Sequence, residues 1–153
     1  MLARIKRIAE RFATAGWTLR TGLSPGADQA FYAGALARRG RIELFLPSPR
    51  FQQQARSSEE RGLVTVLAQP SEAAFALAQR THPHWEQLDH CERSLRARDC
   101  HQVLGADLRH PVDLVVCWTA DGGIDGLHPL SGGTGQALRI ASLHRIAVIN
   151  LGG

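Results

Sequence analysis

Ser131-Gly132-Gly133-Thr134-Gly135-Gln136-Ala137-Leu138-Arg139-Ile140-Ala141 is the stretch on which the fold turns. Its glycines open a helix and let backbone N–H groups approach an anion closely, the arrangement that suits phosphate. Upstream lies the apolar run Val112-Asp113-Leu114-Val115-Val116-Cys117-Trp118, and downstream a second strand-like run, Ala147-Val148-Ile149-Asn150-Leu151. Strand, glycine-rich loop, helix and strand together describe a nucleotide-binding α/β unit.

Working outward, Ile5, Ile8, Ala9 and Phe12 fall at helical spacing and predict an amphipathic helix over about 2–14, ended by Gly16. Residues 17–22 read as a first strand, and Leu23 to Asp28 as a tight turn with Ser24 as N-cap and Pro25 in the first turn of a helix running to Arg39. Gly40 stops that helix, and strands follow at 42–46 and 63–67. The polar stretch 48–61 between them has little to bury and reads as a flap. Ser71 caps a helix to about Gln79, and a longer helix spans 86–104. This alternation predicts one Rossmann-like, doubly wound α/β domain over 1–153, with a mainly parallel sheet and helices on both faces.

Composition sets the class. Hydrophobic residues make up 44% of the 153 and charged residues 21%, as in soluble globular proteins, and no apolar run approaches the roughly 18 residues that span a bilayer. The first eight residues lack the continuous apolar core of a secretory signal, so a cytoplasmic protein without membrane contact is expected. Three cysteines with no Cys-x-x-Cys pair fit reduced thiols rather than a disulfide framework. Net charge is +4, from 18 Lys/Arg against 14 Asp/Glu, which permits a phosphorylated or nucleic-acid partner without demanding one.

Ligands of open α/β sheets bind beyond the carboxyl ends of the strands, and two loops fit that position. One offers Thr21, Gly22, Ser24, Gly26 and Asp28; the other offers Gly132, Gly133, Thr134, Gly135 and Gln136. Neither is a Gly-x-x-x-x-Gly-Lys-Ser/Thr loop or a full Gly-x-Gly-x-x-Gly fingerprint, which disfavours ATP hydrolysis and dinucleotide oxidoreduction, and no cofactor is expected. On the long helix Leu88, Cys91, Leu95, Arg98 and Gln102 share one inward face. An inward Arg98 needs a partner: Asp28, Asp113 or a ligand phosphate. Cys91 and Cys100 point to opposite sides of that helix, and His90 and His101 stand roughly 16 Å apart, so no metal site is expected. Trp17, Trp85 and Trp118 are expected in the core.

Leu19 to Asp28 with Ala33 to Ala37 behind it, Arg96-Ala97-Arg98-Asp99, Gln102 to Gly105, Val116 to Gly122 and Gly132 to Ala137 occur in an order that resembles the SLOG superfamily. That superfamily includes the DNA-processing protein DprA and the Lonely Guy phosphoribohydrolases, and this set is most similar to a compact DprA-like branch of phages and prophages. The resemblance covers most of residues 17–151. It implies a Rossmann-like domain holding a nucleotide or nucleic-acid phosphate, with Arg98, Gln102 and Thr119 at the ligand. Lonely Guy enzymes carry an Arg-Lys pair and a Pro-Gly-Gly-x-Gly-Thr-x-x-Glu loop. Here Arg98 matches the arginine, while Asp99 stands for the lysine, Ser131 for the proline, Gln136 for the threonine and Arg139 for the glutamate. Losing that acid argues against phosphoribohydrolase activity and leaves ligand binding intact, unless Asp28, Asp121 or Asp125 takes the role. The leading expectation is therefore a nucleotide-binding protein linked to DNA processing, with a homodimer allowed. The alternatives are a nucleoside monophosphate N-glycosidase and a single-stranded DNA-binding accessory protein.

Overall fold

The computed structural model describes residues 1–56, 62–127 and 132–153. The chain is mixed α/β and Rossmann-like, with parallel pairing throughout the described strands, and it divides into two compact units, Met1–Ala68 and Gln69–Gly153.

The first unit runs α1 (Leu2–Thr14), β1 (Leu19–Thr21), α2 (Ala27–Ala37), β2 (Ile42–Phe45) and β3 (Val64–Leu67), with strand order β1-β2-β3. Leu19 pairs with Ile42, and Ile42 with Val64, and α2 is the crossover between the parallel neighbours β1 and β2. Leu23, Tyr32, Ala35, Leu36, Ile42, Leu44 and Leu46 form its core. Helix α1 approaches α2 closely because Gly34 has no side chain: a Cβ there would lie 2.3 Å from the Lys6 carbonyl oxygen.

The second unit runs α3 (Glu72–Thr81), α4 (His90–Leu104), β4 (Leu114–Cys117), α5 (Gly132–Leu143) and β5 (Ala147–Asn150). Here β4 pairs with β5, Leu114 opposite Ala147, and α5 is the crossover between them. Its core joins Ala74, Ala78, Trp85, Ala97, Cys100, Val103, Leu104, Ile140 and Ala141. Ser71 caps α3 as expected, its Oγ accepting from the Ala74 N–H at 3.2 Å.

Three local expectations change. The long helix starts at His90 rather than 86, because Asp89 and Glu92 form a reciprocal capping box, each carboxylate accepting the other's backbone N–H, and residues 85–87 make a separate 3-10 turn. Helix α2 is capped at Gly26 rather than Ser24, in a backbone conformation (φ 97°, ψ −117°) open to glycine alone. Trp85 is core, but Trp17 and Trp118 remain 43% and 38% exposed, so their placement in the core is corrected. The flap expected over 48–61 falls partly outside the described residues, at 57–61.

Candidate functional site

In the second unit, α4 carries Arg96, Arg98 and Asp99 within about one turn, and the first turn of α5 lies against Arg96 and Asp99. The position a Cβ would take on Gly133 lies 3.2 Å from Asp99 Oδ2 and 3.3 Å from Arg96 Nη1, so only a glycine admits both groups without displacing them. A carboxylate beside a helix N-terminus is favourable, since the first N–H groups carry partial positive charge. Arg98 is inward as expected, 4% exposed, beside a carboxylate of its own helix. The neighbouring Asp99 accepts from its Nε at 3.0 Å.

Arg139, one helical face along α5, donates to the Gly126 carbonyl at 2.7 Å and to Gln136 Oε1 at 2.8 Å. Gln136 is fully buried and passes the network on, its Nε2 donating to Thr81 Oγ1 at 2.7 Å. The buried Nε–H groups of Arg96 and Arg139 reach no acceptor among the described residues. His82 feels the surplus of positive charge. Burial, then Arg139, then Arg96 push its pKa down to about 4, and burial likewise lowers the pKa of Arg139.

The other expected residues sit as follows. Gly132 is exposed with a left-handed φ of 53°, Thr134 is half-buried, and Gly135 is buried. Gln102 is half-buried on α4. Thr119 belongs to a different knot: Asn150 Oδ1 accepts the Thr119 and Gly152 N–H groups at 3.1 and 3.0 Å, while its Nδ2 donates to Thr119 Oγ1 and the Gly123 carbonyl. Thr119 thereby fastens the end of β5 to the end of β4. Ser131, the first residue of the glycine-rich stretch, lies outside the described residues.

Thr21, Gly22, Ser24, Gly26 and Asp28 lie in the first unit. Within that loop the Asp28 carboxylate accepts the Ser24 N–H at 3.2 Å and Thr21 Oγ1 reaches the Asp28 carbonyl at 3.5 Å. Leu23 is held at φ 61° with its side chain fully buried, which no sequence signal announced.

His101 also has a role that residue spacing missed. Fully buried, it takes the Ser71 N–H on Nε2 at 3.1 Å, which leaves the proton on Nδ1, facing the Gly105 carbonyl at 2.9 Å. Burial lowers its pKa, and the neutral ring ties the N-cap of α3 to the end of α4. Among the described residues no group of three or more His, Cys, Asp or Glu is placed to hold a metal ion, and no helix is long and apolar enough to cross a membrane. No family model, curated protein or solved structure matches the chain.

Proposed function

We propose that the second unit binds a phosphorylated small ligand, a nucleotide or a nucleotide-derived molecule, against the first turn of α5. The observation that supports it is that Arg96 and Arg139, close enough to Asp99 and to each other to interact electrostatically, keep buried Nε–H groups that reach no acceptor among the described residues. A buried donor left without a partner costs about 1–3 kcal/mol, more when charged. A phosphate oxygen supplies an acceptor for those Nε–H groups and profits from the α5 N-terminus. The sequence resemblance to DprA-like proteins favours the same ligand class and a link to DNA processing.

Binding rather than hydrolysis is the proposed activity. The position of the Lonely Guy glutamate holds Arg139, whose guanidinium is engaged with Gly126 and Gln136 and offers no basic oxygen to activate water.

Isothermal titration with AMP and with inorganic phosphate tests this. The protein is expected to bind AMP, and Arg96→Ala to weaken binding by about 1.5–3 kcal/mol, the scale of a charge-assisted hydrogen bond. A folded protein that takes up neither AMP nor phosphate at millimolar concentration contradicts the proposal.

A further inference from the structure

Helix α3 ends in Thr81-His82-Pro83-His84. Proline disfavours helical backbone in the residue before it, and His82 is accordingly extended (φ −92°, ψ 124°) at the C-cap of α3. A chain of hydrogen bonds fixes where that end lies. Thr81 Oγ1 accepts from Gln136 Nε2 at 2.7 Å, and Gln136 Oε1 accepts from Arg139 Nη2 at 2.8 Å, so the end of α3 is moored to the second turn of α5. His82, half-buried, is thereby held within electrostatic reach of Arg139 and Arg96.

The ring's protonation is set locally as well. The His84 N–H donates to His82 Nδ1 at 3.2 Å, which requires a bare lone pair on Nδ1 and leaves the hydrogen of the neutral ring on Nε2. Burial and the two guanidinium groups oppose a second proton, holding the pKa at about 4. A third cation beside Arg96 and Arg139 would add repulsion, whereas a neutral N–H adds a donor without it.

We propose that His82 is a ligand-contacting residue of the α5 anion site, its Nε2–H donating to the same anion that meets the Nε–H groups of Arg96 and Arg139. The inference rests on the reading of that site given above and adds to it a neutral donor from α3, an element that carries none of the arginines. A purely structural His82 acts through Nδ1, on the turn to His84; a ligand-contacting one acts through Nε2. The two nitrogens can be separated by substitution, because a glutamine carboxamide nitrogen stands close to the place of Nε2 and an asparagine carboxamide close to that of Nδ1.

Isothermal titration of AMP into the full chain and into H82Q, H82N and R96A at pH 7.5 tests the assignment. H82Q should keep the wild-type affinity within about threefold and H82N should lose about tenfold, the scale of one hydrogen bond to a charged group. The reverse order, with H82N retaining affinity and H82Q losing it, would confine His82 to the His84 turn and overturn the inference. Wild-type affinity in H82N beside a weakened R96A would overturn this inference alone, whereas no AMP uptake by the wild type removes the reading of the α5 site and this inference with it. Where both variants weaken alike or fail to fold, the unaltered ring decides. Nitrogen-15 spectra of the wild-type imidazole at pH 7.5 should show hydrogen on Nε2 and none on Nδ1, and saturating AMP should shift the Nε2–H resonance while Nδ1 stays bare. A ring with its hydrogen on Nδ1, or an Nε2–H resonance unmoved by bound AMP, would overturn the inference.

Discussion

Arginines on α1 and arginines on α4 show how one side chain takes two roles according to what lies around it. Arg4, Arg7 and Arg11 keep their water, so each costs the fold almost nothing and is available to a partner from outside. Arg98 is 4% exposed, and Arg96 and Arg139 bury part of their guanidinium groups, so their charge has to be answered by the protein itself or by a bound anion. The first unit is the more basic by count, yet the more demanding cations are in the second.

The largest test of that contrast is Asp99→Ala, which strips the carboxylate from Arg98. Loss of one partner of a buried pair costs about 3–5 kcal/mol, while Arg7→Ala on the exposed stripe should change stability by no more than about 0.5 kcal/mol. Urea denaturation of both variants reads the difference, and equal costs would erase the distinction. Next in size is Gly34→Ala, where the new methyl meets the Lys6 carbonyl and Ala9 Cβ. Overpacking there should cost about 1–3 kcal/mol and show that α1 is held by close packing rather than by its charged face.

Acid should act on the second unit through its histidines. His82 and His101 have folded pKa values below the ordinary 6.5, so the unfolded chain binds protons that the native state refuses. The stability that their neutral forms contribute is complete above pH 6.5 and declines as pH falls towards 4, the folded value for His82. Denaturation midpoints at pH 7.5 and 5 should therefore differ, and H82Q should reduce that difference. A midpoint independent of pH would contradict the burial assigned to both rings. The smallest effect concerns thiols: burial raises Cys100 to about 12 and Cys117 to about 11, whereas Cys91 is exposed. A maleimide should label one thiol quickly and the other two only on unfolding.

Elements were legible in the sequence wherever periodicity and a cap agreed. Ser71 and Gly16 marked real boundaries, and the parallel α/β alternation followed from short apolar runs separated by helices. The start of α4 was misplaced because Asp89 and Glu92 hold each other, a reciprocal contact that outweighs the helical spacing of the residues before it. Within the candidate site, the inward face of α4 was legible for Arg98 but not for Cys91, which is exposed, and the bond from Arg98 to Asp99 was not legible. Neighbours in sequence diverge by about 100° around a helix, so a salt bridge between Arg98 and Asp99 depends on rotamers that spacing does not encode. His101 and Asn150 were invisible for a similar reason: each binds backbone groups across the unit, and backbone has no sequence signature.

The anion site at α5 is the central claim, and His82 reports on it from within. Nuclear magnetic resonance titration of its imidazole, without ligand and at saturating AMP, measures occupancy and location together. A phosphate set between Arg96 and Arg139 cancels the positive field that helps to hold His82 at about 4, so its pKa should rise towards 6.5 when AMP binds. An unmoved His82 pKa at saturating AMP would contradict the account.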